Sequence, residues 1–159
     1  MRRGLGAGRL LIAIGALMGV TGAFLPWTFA GAEIGLPVRT ERALDGGAGI
    51  LMFIAAVALL ALLLLPYASP NGRSSLDRWV SFVILAGLMV LGTVVQLLQL
   101  FSSQTLKLTP VTDVLGMWLG VIGTILVAWG AGEIVSRETA ARSSDGPRQM
   151  TTFKSRRRK

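Results

Sequence analysis

The side chains that most often carry chemistry are scarce in this sequence. It contains no histidine and no cysteine. The eight acids all lie outside the long apolar runs or at their ends: Glu33, Glu41, Asp45, Asp77, Asp113, Glu133, Glu138 and Asp145. Proton relays need a buried ionisable group, and a zinc site, a haem site or an activated nucleophile usually needs histidine or cysteine. We therefore expect no enzymatic activity, no cofactor and no metal site.

Two glutamines are the strongly polar side chains within an apolar run. Gln96 and Gln99 share one face of a helix with Gly92 and Ser103 at about 100° per residue. An amide buried among apolar groups without a partner costs several kcal/mol, so this face must meet a helix, a loop or water. We favour hydrogen bonds between helices, and the alternative is a polar vestibule open to the outside.

The apolar runs that hold these residues predict a membrane protein. The chain has 159 residues, of which 52% are hydrophobic and 15% charged, and its mean hydropathy is positive. Since about 20 apolar residues cross a hydrocarbon core of roughly 30 Å, four uncharged runs predict four spans. We place the spans at about 10–27, 46–65, 79–101 and 114–135, within one all-α transmembrane domain over residues 1–136, an antiparallel four-helix bundle with its helices alternating in direction.

Glycines recur with the same spacing in the first and last spans. The two sets are Gly15, Gly19 and Gly22, and Gly116, Gly120 and Gly123. Each set falls on one helical face, where the missing side chains let another helix approach closely. The alternative is that glycine is simply common in membrane helices. We expect spans one and four to pack against each other through these faces.

The distribution of basic residues predicts the topology. Three Lys or Arg precede span one, two lie in loop 2 and eight lie in the tail, thirteen in all, against three in loops 1 and 3. Basic residues are retained in the cytoplasm. We expect a multi-pass protein of the plasma membrane with both termini cytoplasmic and loops 1 and 3 outside. A cleaved signal peptide over residues 1–32 remains an alternative, although the apolar run is longer than usual and carries a glycine face.

The outer loops carry the pattern of short strands. Pro26 should end or kink span one and place Trp27 at the outer interface, and Asp45 can cap span two. Loop 1 predicts a small hairpin, and residues 105–109 of loop 3 alternate with a period of two. A small extracytoplasmic β-cap built from loops 1 and 3 is therefore expected, because an isolated hairpin is only marginally stable.

The tail, residues 137–159, has the composition of a disordered basic segment. Its last cations are Lys154, Arg156, Arg157, Arg158 and Lys159. They predict contact with anionic lipid headgroups, and the alternative is that they only anchor the topology. Nucleic acid is not an expected partner, since Phe153 is the one aromatic side chain in the tail that could stack on a base.

Three short motifs together resemble a loose group of small bacterial four-helix membrane proteins of unknown function. They are Leu25-Pro26-Trp27, Asp45-Gly46 and Gly116-Met117-Trp118-Leu119-Gly120. The plan of four helices with an outer β-cap is also similar to that of the claudin-like tetraspan proteins. Their paired loop cysteines are absent here, so that similarity is one of architecture and implies no activity.

The sequence predicts a function through association. We expect the protein to bind a second copy of itself or another membrane protein, as a scaffold or accessory subunit within the bilayer. The competing hypothesis is a minimal transporter or channel subunit for a neutral or apolar solute, with Gln96 and Gln99 lining an outward vestibule.

Overall fold

The computed structural model describes residues 6–30, 39–68, 79–102 and 114–145 of the chain. Four long helices and a two-stranded sheet make up these residues. The elements in chain order are α1 (Ala7–Phe24), β1 (Pro26–Ala30), β2 (Arg39–Arg42), a 3₁₀ turn (Ala43–Asp45), α2 (Gly47–Ala68), α3 (Trp79–Ser102) and α4 (Leu115–Asp145). All four α-helices are long and apolar enough to cross a membrane.

The helices form a ring in which each packs against two others. Contacts join α1 to α2, α2 to α3, α3 to α4 and α4 back to α1. The core between them is apolar, and its largest fully buried side chains are Trp27, Phe82, Ile12, Met52, Leu59, Met89 and Val127. The predicted helical bundle is therefore present among the described residues.

The predicted hairpin in loop 1 is also present. Strands β1 and β2 pair antiparallel, with Phe29 opposite Thr40 and Ala30 opposite Arg39, and the register shifts between Pro26 and Thr28. The strand β1 follows α1 directly, because Pro26 cannot donate an amide hydrogen bond to a continuing helix and disfavours helix at the residue before it. Residues 105–109, the expected third strand, lie outside the described residues.

The hairpin end corrects two expectations. Trp27 is only 1% exposed and does not face the outer interface: its Nε1 donates to Gly22 O at 2.9 Å, and its indole lies against Gly120 of α4. Asp45 Oδ2 accepts from Arg42 N at 2.8 Å. That carboxylate closes the 3₁₀ turn, and no described bond joins it to the first amides of α2.

The helix α4 also corrects the predicted start of the disordered tail. Residues 137–145 are helical and continue the last span beyond its expected end at 135. Hydroxyl groups along this part donate to carbonyls one turn back, as Thr139 Oγ1 does to Val135 O and Ser143 Oγ to Ala140 O. Arg137 pairs with Glu133 at i,i+4 spacing. The ion pair favours the helical conformation by a few tenths of a kcal/mol, whereas composition alone indicated disorder.

Candidate functional site

A glycine seam brings the backbones of α1 and α4 into direct contact. Its members pair in opposite directions along the two helices: Gly8 with Gly130, Gly15 with Gly123, and Gly22 with Gly116. A Cβ added at Gly15 would lie 2.5 Å from Gly123 O, and one added at Gly123 would lie 2.6 Å from Gly15 O. Since real Cβ atoms do not approach so closely, the backbones touch only because both side chains are absent.

The six predicted glycines divide into two groups. Gly15, Gly22, Gly116 and Gly123 belong to the seam, each with the backbone of the opposite helix against it. The other two face different neighbours.

Gly19 makes room for the Met89 side chain of α3, and a Cβ there would also lie 3.6 Å from Ala56 of α2. Gly120 makes room for the Trp27 indole, whose Cζ2 would lie 2.7 Å from an added Cβ. One glycine of each predicted set therefore accommodates a side chain of another element, and the seam itself has a different period from the one we expected.

Sequence reasoning missed the pair of the seam that lies nearest the start of α1. Gly8 and Gly130 are in mutual contact, since a Cβ added at either would lie within 2.9 Å of the carbonyl oxygen of the other. The signal was present in the sequence: Gly8, Gly15 and Gly22 are seven residues apart, as are their three partners on α4. A seven-residue repeat keeps one seam facing a partner helix and is typical of a left-handed supercoil.

A hydroxyl pair joins α3 and α4 inside the bundle, and sequence reasoning missed it as well. Thr93 Oγ1 and Thr124 Oγ1 are 2.8 Å apart and both side chains are buried. Thr93 Oγ1 is also 2.9 Å from Met89 O, and Thr124 Oγ1 is 2.8 Å from Gly120 O. Because each hydroxyl carries one hydrogen, one threonine donates to the other, which in turn donates to its own helix.

The two predicted glutamines lie in different surroundings. Gln96 is buried, with 7% of its surface exposed, and its Oε1 has no hydrogen-bond partner among the described residues. Gln99 is exposed. The described contacts therefore contain neither the interhelical bond through Gln96 Oε1 that we favoured nor a vestibule lined by both amides.

The opposite end of the bundle is basic. Arg9 on α1 stacks over the Phe82 ring at 5.9 Å from its centroid, and a Cβ added at Gly6 would lie 3.3 Å from Arg137 Nη1. Arg137 and Arg9 thus lie near the start of α1, with Glu133 as a counter-ion of Arg137. The predicted lipid-binding cations of the tail, Lys154 to Lys159, lie outside the described residues.

The exposed faces of the helices carry many large apolar side chains, among them Leu17, Leu64, Leu98 and Trp129. A groove of about 330 Å³ opens on α1 beside Leu119, and the hydroxyl of Thr21 on its wall donates to Leu17 O at 2.9 Å. Three exposed glycines among the described residues, Gly47 at the start of α2, Gly87 on α3 and Gly132 on α4, have no atom within 4 Å of an added Cβ. No described group of three or more acidic side chains could hold a metal ion.

Comparison with protein-family models, with curated proteins and with solved structures gives no match. The class of the protein therefore rests on its own geometry. Four long apolar helices packed in a ring indicate a multi-pass membrane protein.

Proposed function

We propose that the protein is a non-enzymatic integral membrane protein that acts by association with a second copy of itself or with another membrane protein. The observation that supports this proposal is a row of small, exposed residues on α4. Ala128, Gly132 and Ser136 follow one another at four-residue spacing and are all exposed, and an added Cβ at Gly132 would meet nothing within 4 Å.

Small residues favour association between membrane helices, because helices in lipid gain little free energy from burying apolar side chains. Association in a bilayer depends on close van der Waals packing, which glycine, alanine and serine permit. The predicted glycine faces are occupied inside the bundle, so they do not supply an association surface. The α4 row remains open, and it adjoins the Trp129 side chain, which is 70% exposed.

Crosslinking through an introduced cysteine tests the proposal. The chain has no cysteine, so Ser136→Cys gives a single thiol on the α4 row. Oxidation in native membranes should produce a covalent dimer or a covalent adduct with another membrane protein. Adding Gly132→Leu should reduce the crosslinked fraction at least tenfold, because a leucine side chain would separate the helices by several ångström.

A matched control uses another open glycine. Gly87 is also exposed and has no atom within 4 Å of an added Cβ, but it lies on α3. Gly87→Leu in the Ser136→Cys background should leave the crosslinked fraction unchanged. Equal crosslinking in both leucine variants, or monomer throughout in mild detergent and in membranes, would rule out association through this row.

The transporter hypothesis has less support from the described geometry. Its two candidate lining residues differ in burial, since Gln96 is enclosed and Gln99 is exposed. Replacing both with leucine separates the hypotheses: loss of flux for any neutral solute in proteoliposomes would favour transport. Unchanged flux would favour a packing role for this part of α3.

We further propose a topology in a bacterial plasma membrane. The excess of basic residues in the termini and loop 2 supports cytoplasmic termini. In this topology the hairpin and residues 105–109 form a β-cap on the outer side. The basic tail contacts anionic lipid headgroups on the inner side. Single-cysteine variants Thr40→Cys and Ser143→Cys report on this arrangement. A membrane-impermeant maleimide added to intact cells should label the first and not the second, and the reverse pattern would invert the topology.

A further inference from the structure

The hairpin end of the bundle holds a buried amide oxygen that has no partner among the described residues. Gln96 Oε1 accepts no hydrogen bond from any residue that the structure describes, and the side chain is 7% exposed. Buried side-chain oxygens are almost always paired with the protein or with an ordered molecule. The atoms around Gln96 Oε1 therefore indicate which kind of group can donate a hydrogen bond to it.

The surroundings are the beginning of α2. A Cβ added at Gly46, the residue before the helix, would lie 3.0 Å from Gln96 Oε1 and 3.5 Å from Nε2. One turn earlier on α3, an added Cβ at Gly92 would lie 2.9 Å from Ala48 O and 2.8 Å from Met52 N. The close approach at Gly92 holds the Gln96 amide against the first turn of α2.

The first turn of α2 contains backbone amide hydrogens that are not used within the helix. Ile50 N donates to Gly46 O at 3.0 Å, which begins the hydrogen bonding of this 22-residue helix. Residues 47–49 come before Ile50 in the chain, and their amides have no acceptor within the helix. These amides form the positive end of the helix dipole. No acid lies in the first turn, and Asp45 accepts from Arg42 N instead.

We propose that Gln96 and the first turn of α2 form a binding site for one neutral hydroxyl group, supplied by a buried water molecule or by a small alcohol. A hydroxyl donates to Gln96 Oε1 and accepts from an α2 amide, so it meets both requirements at once. A cation would face the positive end of the helix, and an anion would face the amide oxygen. The site therefore selects an uncharged ligand, and it does so independently of any association through α4.

The sign of a stability change tests the site. Gln96→Met keeps the length of the side chain and removes the amide. If a bound hydroxyl pairs with Gln96, the variant loses that bond, and its midpoint of thermal unfolding in detergent should fall by about 2 to 4 °C. If the amide is unpaired, the same variant removes a buried unsatisfied group and the midpoint should rise, which would overturn the proposal. Gln99→Met, an exposed position on the same helix, is the control and should change the midpoint by less than about 1 °C.

A direct observation covers the case in which Gln96→Met does not fold. An experimental density map of the full chain in nanodiscs, in buffer without polyols, should show a single-atom feature within about 3.2 Å of Gln96 Oε1 if water is the ligand. A larger feature that appears only after ethylene glycol is added would identify a small alcohol instead. A donor from the protein itself at that position, or an empty space in both maps, would refute the site.

Discussion

The contact between α1 and α4 differs from the contact between α2 and α3 in what fills the space between the backbones. In the first, glycine faces glycine, and backbone atoms meet directly at Gly15 and Gly123. Between α2 and α3 one such close approach occurs among the described residues, at Gly92, and these two helices otherwise contribute larger buried side chains to the core, among them Met52, Leu59 and Phe82. Backbone contact thus recurs along the first pair, whereas buried side chains fill most of the core beside the second.

This difference predicts which substitutions each of the two helix pairs can tolerate. A backbone seam has no side chain that can change rotamer, so an added group must push the helices apart. A side-chain interface can relax around an added group but loses contacts when atoms are removed. The two helix pairs should therefore respond in opposite ways to changes in residue size.

The largest effect is expected for a large side chain in the seam. Gly15→Leu would place atoms where Gly123 O and Val127 now lie, and the cost should reach about 3 kcal/mol or more, since the contact is with backbone. Unfolding of the purified protein by denaturing detergent would measure it. Gly87→Leu, which meets open space, serves as the control, and equal losses in both variants would contradict the seam.

A smaller effect is expected for the opposite change on α2. Leu59→Ala leaves a cavity at a fully buried position. The loss should be about 2 kcal/mol, near the low end for such changes, because helices that separate in lipid do not expose the side chain to water. The same detergent unfolding applies, with Leu64→Ala as the exposed control. A loss at Leu64 as large as that at Leu59 would show that burial in the bundle is not the cause.

The smallest effect is expected for the hydroxyl pair that joins the two halves of the ring. Thr93→Val and Thr124→Val, singly and together, form a double-mutant cycle across the 2.8 Å contact. The coupling energy should be about 0.6 kcal/mol and at most about 1.7 kcal/mol, the range found for such bonds in membrane proteins. Strictly additive losses would mean that each threonine bonds only to its own helix.

Much of the fold could be predicted from the sequence because a bilayer imposes a simple rule of length and polarity. The four uncharged runs and the effect of Pro26 gave the helices and the end of α1 to within a few residues. The end of α4 could not be predicted from composition, because composition does not record which side chains lie one helical turn apart, as Glu133 and Arg137 do.

The candidate site was less predictable for reasons of geometry. Residue types and glycine spacing can be read from the sequence, but the neighbours that Gly19 and Gly120 face depend on how all four helices are rotated about their axes. Burial of Gln96 and exposure of Gln99, although only three residues apart, depend on where the hairpin and α2 begin. Burial and facing of these residues depend on tertiary packing, which the helical periodicity of a single segment cannot predict.

The seam also has a consequence for the order of assembly. Its two strips of glycine belong to α1 and α4, so they cannot meet before α4 has been synthesised. Until then, of the two ring contacts that α1 makes, only the one with α2 can form. Closure of the ring thus waits for α4, and a chain that stops before α4 would carry an unmatched helix surface into the membrane.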